Sequence, residues 1–272
     1  MASPTPVIPS ATHVESWYAS KTVGVIKINR PRVKNSINQQ TYSELNDALL
    51  FFQDDANVLV VVLTGEGDEY FSSGTDVNEA KPGMVASRTV TRTLMTTIVN
   101  FPKILIGAIN GHAIGIGVTM LVYCDFVFSV PYATFRTPFL ELGIVPEFGS
   151  SLTFPALFGK VAANDLLLRC KTLDANRALA VGLVTEIVPS LGFRETVLKL
   201  TEDITTQLHA KHSLLTFKEQ MGRLGPLTKQ QIFATIDTEF VEIDRRYRTG
   251  EIFELGKAYV AQLKQRKNAS KL

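Results

Sequence analysis

Three apolar runs in the first half of the chain have the patterns of β-strands. Val23–Ile28 alternates apolar and polar residues before Arg30-Pro31, which predicts a strand with one exposed face. Residues 58–63 and Ile104–Ile109 are instead continuously apolar and rich in β-branched side chains. Continuous runs of this length are typical of strands that are buried on both faces of a sheet.

Helical periodicity separates these runs and dominates the rest of the chain. Residues 39–52 repeat apolar positions with the helical period, which predicts an amphipathic helix. Its apolar face consists of Tyr42, Leu45, Leu49 and Phe52. From Ala162 onward the helical pattern takes over, chiefly in residues 194–209, 228–246 and 253–264, with a break at 222–226. Alternating strands and helices followed by helices predict an α/β fold with a helical C-terminal region.

The composition is that of a globular protein with little net charge. Charged residues make up 20% of the 272 positions and apolar residues 45%, and 28 Lys and Arg against 26 Asp and Glu leave a net charge of +2. This balance argues against nucleic acid as the main partner, although a few cations could still bind a small anionic ligand. Cys124 and Cys170 lack CxxC spacing and are interpreted as buried thiols of a reducing compartment.

Residues 104–124 are long and uncharged enough to raise the question of a membrane span. Asn110-Gly111-His112 divides this stretch into a strand-like run and the start of a glycine-rich helix. We therefore predict a buried strand, turn and helix, and no membrane span.

The two ends of the chain differ from its interior. Residues 1–13 are rich in Pro, Ser and Thr and lack the basic and apolar regions of a secretion signal, so we expect a loose lead-in. Ser270-Lys271-Leu272 matches the address that the peroxisomal import receptor reads, which predicts a peroxisomal location. A basic stretch at 264–267 is compatible with that signal and equally with a solvated helix end.

Two glycine turns that follow predicted strands are candidates for ligand binding. In residues 71–76 (FSSGTD) small side chains would let a ligand approach the backbone, although many surface turns look alike. Residues 110–117 (NGHAIGIG) lead into a predicted helix start, where unpaired N–H groups could hold an oxyanion. This second turn lacks the third glycine of GxGxxG and the lysine of a P-loop, so phosphate cradling is disfavoured. Close packing of its glycines is the alternative.

A single carboxylate, Glu147, is the third candidate, within residues 142–151 (LGIVPEFGSS). Its apolar neighbours would raise its pKa by desolvation, as a general base near neutral pH requires. The other interpretation is an acid at a helix N-terminus, stabilised by the helix dipole, and the motif taken alone favours that interpretation.

Other polar residues give weaker indications. His209 and His212 could share a helical face, but further ligands cannot be assigned, so no metal is predicted. His112 could line a pocket or be structural. Ser73 and Ser150 lack the GxSxG context of a hydrolase nucleophile.

Taken in order, these segments resemble the crotonase (enoyl-CoA hydratase/isomerase) superfamily from about Val23 to the C-terminus. Arg30-Pro31 and residues 35–38 (NSIN) are similar to the family's N-R-P…N-A-[LI]-[ND] opening, and the two turns are similar to its S/A-G-x-D and N-G-x-A-x-G motifs. The resemblance implies a crotonase-type ββα spiral over residues 14–200. It also implies that residues 201–269 form a helical trimerisation region, giving a homotrimer or a dimer of trimers.

The resemblance further implies the residues of an acyl-CoA site. The backbone N–H groups of Thr75 and Ile116 would form an oxyanion hole for the thioester carbonyl. Residues around them would bind the substrate, and two cations, with the basic C-terminal helix, would meet the phosphates of coenzyme A; these residues are Ser72, Ser73, Gly74, Asp76, Gly115, Phe139, Arg32 and Lys34. No cofactor is expected, because coenzyme A is part of the substrate.

The pattern of acids indicates one branch of the family. Hydratases use two glutamates, and Thr119 and Phe139 occupy those positions here. Residues 137–151 are instead similar to the peroxisomal Δ3,Δ2-enoyl-CoA isomerases, whose single catalytic glutamate stands in a P-E-x-x-S-S setting like that of Glu147. Such enzymes convert 3-enoyl-CoA to 2-enoyl-CoA in the β-oxidation of unsaturated fatty acids. Thr75 replaces an asparagine or alanine of relatives, so a role for its side chain stays open.

Two kinds of rival remain. One is a non-catalytic acyl-CoA-binding module on the same fold. Glu147 is the feature that distinguishes the enzyme from such a module. The other is a different enzyme of the superfamily, such as a hydratase, a thioesterase or a dienoyl-CoA isomerase, the last of which would be expected to supply further acids in the pocket. Fold alone does not decide between them.

Overall fold

The protein contains two β-sheets. The computed structural model describes residues 8, 10–76, 87–207, 210–222, 225, 227–256, 258 and 261 of the chain. The strands are β1 Val14–Ser20, β2 Val23–Ile28, β3 Val60–Gly65, β4 Tyr70–Ser72, β5 Ile104–Ile109, β6 His112–Ile114, β7 Phe126–Ser129, β8 Thr134–Arg136, β9 Leu173–Asp174 and β10 Glu186–Ile187. One sheet has the order β1-β2-β3-β5-β7-β10, and the other has the order β4-β6-β8-β9.

Helices follow the strand pairs and make up most of the C-terminal part. They are α1 Gln39–Asp54, α2 Ser87–Asn100, α3 Ile116–Thr119, α4 Ser150–Leu167, α5 Ala175–Ala180, α6 Phe193–Thr205, α7 Ala210–Met221 and α8 Lys229–Thr249. Residues 251–256 are also helical. Single 3₁₀ turns are formed by Pro31–Val33 and Met120–Tyr123.

The predicted buried strands and the first predicted helix are confirmed. β3 and β5 are buried at every residue. The four residues of the apolar face of α1 are each at most 4% exposed. Asn38 is the N-cap of this helix. Its side chain accepts a hydrogen bond from the Thr41 N–H and so satisfies one of the unpaired donors of the first turn.

The predicted exposed face of β2 is wrong. All of its residues are buried except Lys27, which is half-buried. Both α1 and α6 pack against this strand, so neither apolar nor polar positions reach solvent freely. Lys27 is accommodated because its ammonium group forms ion pairs with Glu15 and Glu66.

The prediction that the glycine turn at residues 110–111 leads directly into a helix is wrong. His112–Ile114 first forms β6, which pairs with both β4 and β8. Only then does α3 begin, and it has four residues before the chain tightens into a 3₁₀ turn. Within the described part of the chain, no helix is both long and apolar enough to cross a membrane.

The strands repeat a ββα unit that confirms the spiral fold expected from the resemblance. In β3–β4, β5–β6 and β7–β8, the first strand belongs to the large sheet and the second to the small sheet, and a helix follows each pair. The second strands, β4, β6 and β8, are parallel neighbours. Their carboxyl ends therefore lie at one edge of the small sheet, where parallel sheets commonly place ligands.

The C-terminal region is helical, as predicted. α6 and α8 correspond to the predicted segments 194–209 and 228–246, whereas α7 lies outside the predicted segments. α6 ends at Thr205, earlier than predicted, and the break at 222–226 separates α7 from α8. Outside the described residues lie His209, half of the predicted helix at 253–264, the 264–267 stretch, the Ser270-Lys271-Leu272 tripeptide and most of the 1–13 lead-in. Trimer formation stays a prediction.

Candidate active site

The two glycine turns follow the carboxyl ends of β4 and β6, and they lie close to one another. Gly74 and Gly115 have φ angles of +84° and +57°, in the left-handed region that favours glycine. A Cβ on Gly74 would lie 2.8 Å from the Ile114 carbonyl oxygen and 3.7 Å from the Gly115 Cα. Only glycine at position 74 therefore lets the turns meet this closely.

The residues that follow these glycines, Thr75 and Ile116, carry backbone N–H groups without an acceptor among the described residues. Ile37 bridges the first turn by donating to the Gly74 carbonyl at 2.8 Å and accepting from the Asp76 N–H at 2.9 Å, which bypasses the N–H of Thr75. Ile116 is the first residue of α3, where an N–H has no partner within the helix. Two free donors on adjoining segments are the arrangement that an oxyanion hole requires.

Polar side chains of the first turn hold it to the segment that precedes α1. The buried Ser72 hydroxyl donates to the Asn35 carbonyl at 2.8 Å. The Asp76 carboxylate accepts from the Ser36 hydroxyl at 3.0 Å and from the Arg30 guanidinium at 3.2 Å. These contacts fix the turn, and a direct role of Ser72 or Asp76 in substrate binding stays a prediction.

The predicted phosphate-binding cations lie on the neighbouring segment. Arg32 and Lys34 are both exposed. Lys34 Nζ lies 3.3 Å from the Tyr70 hydroxyl and 4.9 Å from the centre of its ring, and the Ser73 N–H donates to the Lys34 carbonyl at 2.9 Å. The cations are thus connected to the first turn, and their contact with coenzyme A stays a prediction.

Glu147 lies in the loop that leaves β8, and the end of β8 contacts the second turn. The Gly115 N–H donates to the Arg136 carbonyl at 2.9 Å, which ties that turn to the end of β8. Directly after Glu147, Phe148 and Gly149 both have positive φ, at 59° and 73°. Such strain persists only where surrounding contacts impose it, and Tyr123 does so by stacking on Phe148 at 4.5 Å and donating to its carbonyl at 2.6 Å.

The environment of Glu147 is that of a proton acceptor and not of a helix cap. It precedes Gly149, the N-cap of α4, by two residues, and within the described chain its carboxylate has no hydrogen bond or ion pair. Burial, and then the negative charge of Glu239, raise the pKa of Glu147 to about 7. The residue is half-buried, so it is not sealed off from solvent.

Tyr42 connects Glu147 to the first turn. Its hydroxyl lies 2.7 Å from the Thr75 hydroxyl, and its ring is 2% exposed. Burial, followed by the negative charge of Glu147, raises the pKa of Tyr42. The sequence identified Tyr42 only as a core residue. A tyrosine on an apolar helix face is itself a signal, because its hydroxyl needs a partner.

The positions of the two hydratase glutamates hold no acid. Thr119 is fully buried, and its hydroxyl has no partner among the described residues. Phe139 is 2% exposed and lies in the interior, beneath the loop that carries Glu147. A water molecule would find neither a general base nor a general acid at these positions.

The remaining candidates have structural surroundings. His112 Nδ1 lies 2.8 Å from the Thr134 hydroxyl, and its ring packs edge-on against Tyr70, which favours the structural interpretation. Neither Cys124 nor Cys170 forms a disulfide within the described chain. Cys170 is buried as expected, whereas Cys124 is only partly buried. Across the described ranges, no group of His, Cys, Asp and Glu is arranged to hold a metal ion.

Comparison of this chain with known proteins finds a matching family and similar sequences. The profile of the family described as Enoyl-CoA hydratase/isomerase matches residues 18–246. Enoyl-CoA delta isomerase 2 of Homo sapiens is 39% identical over 197 residues, which are 69% of this chain and 50% of that protein. Enoyl-CoA delta isomerase 3, peroxisomal, of Mus musculus is 39% identical over 183 residues, which are 64% of this chain and 57% of that protein. The chain thus spans about half the length of these two relatives.

Similar proteins also include a hydratase and a solved structure. Crotonyl-CoA hydratase of Syntrophomonas wolfei is 33% identical over 174 residues, which are 61% of this chain and 65% of that protein. The crystal structure of an enoyl-CoA hydratase/isomerase from Pseudoalteromonas atlantica is 30% identical with a TM-score of 0.82, and the match covers 92% of this chain and 98% of that one.

Proposed function

Because the chain belongs to the enoyl-CoA hydratase/isomerase family, we propose that it is a Δ3,Δ2-enoyl-CoA isomerase with Glu147 as its only catalytic acid–base group. The observation that carries this proposal is the Glu147 carboxylate, which has no hydrogen bond or ion pair among the described residues and whose pKa is raised to about 7 by burial and by the charge of Glu239. Its charge also raises the pKa of Tyr42, whose hydroxyl contacts Thr75 of the first turn. Tyr42 thus relates the proposed base to the turn that carries an oxyanion donor.

The proposed reaction is a 1,3-proton shift. The ionised Glu147 removes a proton from C2 of the 3-enoyl thioester, and the electron pair of that bond delocalises into a dienolate. The N–H groups of Thr75 and Ile116 stabilise the negative oxygen. Glu147, now protonated, returns the proton to C4, which leaves the double bond between C2 and C3 and restores the carboxylate.

Two features of the site suit this chemistry. A carboxyl group with a pKa of about 7 can both accept and return a proton near neutral pH without a large driving force in either direction. Each oxyanion donor is typically worth on the order of 100-fold or more in rate, so both turns must be in place. No cofactor takes part, because coenzyme A enters with the substrate.

The main alternative enzyme is a hydratase, and the names of relatives do not exclude it. Both isomerases and a crotonyl-CoA hydratase are similar to this chain. The residues favour the isomerase, since Thr119 and Phe139 provide no acid for the activation of water. A non-catalytic acyl-CoA-binding module is the alternative outside enzymes.

Parallel assays with 3-enoyl-CoA and 2-enoyl-CoA separate these possibilities. The proposal predicts that 3-enoyl-CoA is conjugated, seen as a rise in enoyl thioester absorbance, whereas 2-enoyl-CoA is scarcely hydrated. Rapid hydration without isomerisation would identify a hydratase. Binding of both compounds without turnover would identify a binding module.

We also propose that the protein acts in unsaturated fatty acid β-oxidation in the peroxisome. The name of the Mus musculus relative supports the location, together with the Ser270-Lys271-Leu272 tripeptide. A fluorescently tagged chain that ends at Ala269 should stay outside peroxisomes. Its import would show that another signal is responsible.

A further inference from the structure

Glu239 is a carboxylate at a buried position of α8. The buried face of this helix is otherwise apolar and consists of Ile232, Ile236 and Ile243. Glu239 is only 6% exposed. An acid in such a place is costly unless hydrogen bonds compensate it, so its partners indicate what it does.

Among the described residues, the hydrogen-bond partners of the Glu239 carboxylate all belong to the segment that follows Glu147. One carboxylate oxygen accepts from the Gly149 N–H at 2.7 Å. The other accepts from the Ser151 N–H at 3.0 Å and from the Ser151 hydroxyl at 2.6 Å. Glu239 therefore holds the first turn of α4 and, with it, the strained backbone that presents Glu147.

The charge of Glu239 also acts on Glu147. After burial, it is the second cause that raises the pKa of Glu147 to about 7. Burial raises the pKa of Glu239 itself, and its bonds to Ser151 and Gly149 oppose that effect.

Few other titratable groups face this pair among the described residues. Tyr123 lies near Glu239 and Tyr42 lies near Glu147, and both are neutral near pH 7 because burial raises the pKa of each. Tyr247 lies beyond Tyr42. The nearest cation on α8 to the Glu147 loop is Arg246, which donates to the Gly143 carbonyl and pairs with Glu242.

We propose that Glu239 is a positioning residue of the isomerase site, which fixes the backbone that carries Glu147 and keeps a second negative charge beside it. The role rests on the proposed function, because it presumes that Glu147 is the base. Glu239 touches no substrate in this account and acts only through Glu147. It makes Glu147 a stronger proton acceptor than burial alone would.

The test compares Glu239→Gln with Glu242→Gln, the same change on the same helix at a residue that is ion-paired with Arg245 and Arg246. Glutamine retains the shape of Glu239 but carries no charge, and its single amide oxygen can accept from Gly149 or from Ser151 but not from both. Two quantities are measured against pH: kcat and KM for 3-enoyl-CoA, and the ¹³C resonance of the Glu147 carboxyl, assigned with Glu147→Gln.

Removal of the neighbouring charge lowers the pKa of Glu147. In Glu239→Gln the acidic limb of kcat and the ¹³C titration should both move to lower pH, and the plateau kcat should fall several-fold because a weaker base remains. KM should change little. Glu242→Gln should match the wild type in both measurements. Ser151→Ala removes one bond that favours ionised Glu239, so it should shift both curves in the same direction but less.

The outcomes separate this inference from the proposed function. If the wild type isomerises 3-enoyl-CoA and neither curve moves in Glu239→Gln, Glu239 is merely structural and the inference is overturned while the function stands. If the wild type does not isomerise 3-enoyl-CoA, the proposed function is wrong, and the positioning role, which depends on it, is wrong as well. Should Glu239→Gln not fold, an unmoved titration in Ser151→Ala would overturn the inference instead.

Discussion

A carboxylate that is withdrawn from water and unpaired lowers the stability of the protein that holds it, and Glu147 is such a group. Because its pKa is raised to about 7 in the folded state, folding favours its protonated form. The stability that the protonated form provides is complete below the pKa of the unfolded chain, near 4.5, and is lost as pH rises through 7.

Glu147→Gln should therefore stabilise the protein at pH 8. A shift of this size corresponds to roughly 3 kcal/mol at most, and the half-buried side chain makes about 1 to 2 kcal/mol the expected gain. The gain should shrink as pH falls toward 5, as urea unfolding at several pH values would show. A destabilised variant at pH 8, or a difference that ignores pH, would contradict the environment assigned to Glu147.

Tyr42 offers a second test at single-residue scale. Tyr42→Phe removes the hydroxyl that contacts Thr75, so the first turn should hold its N–H less firmly and kcat/KM should fall about tenfold, less than for loss of a whole oxyanion donor. Tyr18→Phe is the matched control, since it removes a hydroxyl that donates to Asp55 at 2.7 Å away from the described site residues. Equal activity of both variants would show that Tyr42 only fills the core.

The two glycine turns work as one element, because each shapes the space that the other needs. Gly74→Ala would place a Cβ 2.8 Å from the Ile114 carbonyl and should separate the turns. Gly67 provides the control, since its φ of +78° is similar but a Cβ there meets nothing within 4 Å. Both substitutions should cost about 1 kcal/mol for the strained backbone.

Only Gly74→Ala should also lower kcat for 3-enoyl-CoA, by on the order of 100-fold. Steady-state kinetics alongside thermal unfolding would separate the two effects. A Gly67→Ala variant as inactive as Gly74→Ala would assign the loss to stability and not to the oxyanion hole.

Elements whose partners are local were predictable from sequence, and elements defined by distant contacts were not. Burial of β3, β5 and one face of α1 can be predicted from the apolar residues of each element itself. The exposure of β2 was misjudged because its one polar residue, Lys27, is paired with Glu15 and Glu66. The strand at His112–Ile114 depends on pairing with β4 and β8, which local sequence does not encode.

The same distinction applies to the site. The sequence motifs and the family resemblance predict site roles for Glu147, Thr75 and Ile116, but they do not indicate Tyr42 or Glu239. Glu239 is the one polar residue on the buried face of α8, and Tyr42 lies among the apolar residues Leu45, Leu49 and Phe52 of α1. Their partners lie 33 residues away for Tyr42 and about 90 for Glu239. A polar residue on an apolar helix face was the available signal, but it does not reveal which segment it contacts.

At the scale of the whole molecule, the C-terminal helices leave large apolar side chains exposed. Phe217 and Met221 of α7 are 58% and 78% exposed, and Val241 of α8 is 68% exposed. We expect the predicted homotrimer, or dimer of trimers, to cover such residues. Sedimentation velocity at micromolar concentration should give a multiple of three chains. A stable monomer would contradict the assembly.

The central claim is that one carboxylate moves the proton, and Glu147→Gln tests it most directly. The matched control is Glu141→Gln, a change in the same loop at a residue that is ion-paired with Arg136. With 3-enoyl-CoA as substrate, the account predicts a loss of kcat toward the upper end of the roughly 100- to 10,000-fold range of general-base catalysis. Acyl-CoA binding should be retained, and Glu141→Gln should stay within a few-fold of the wild type. A Glu147→Gln enzyme that isomerises at nearly the wild-type rate would contradict the account.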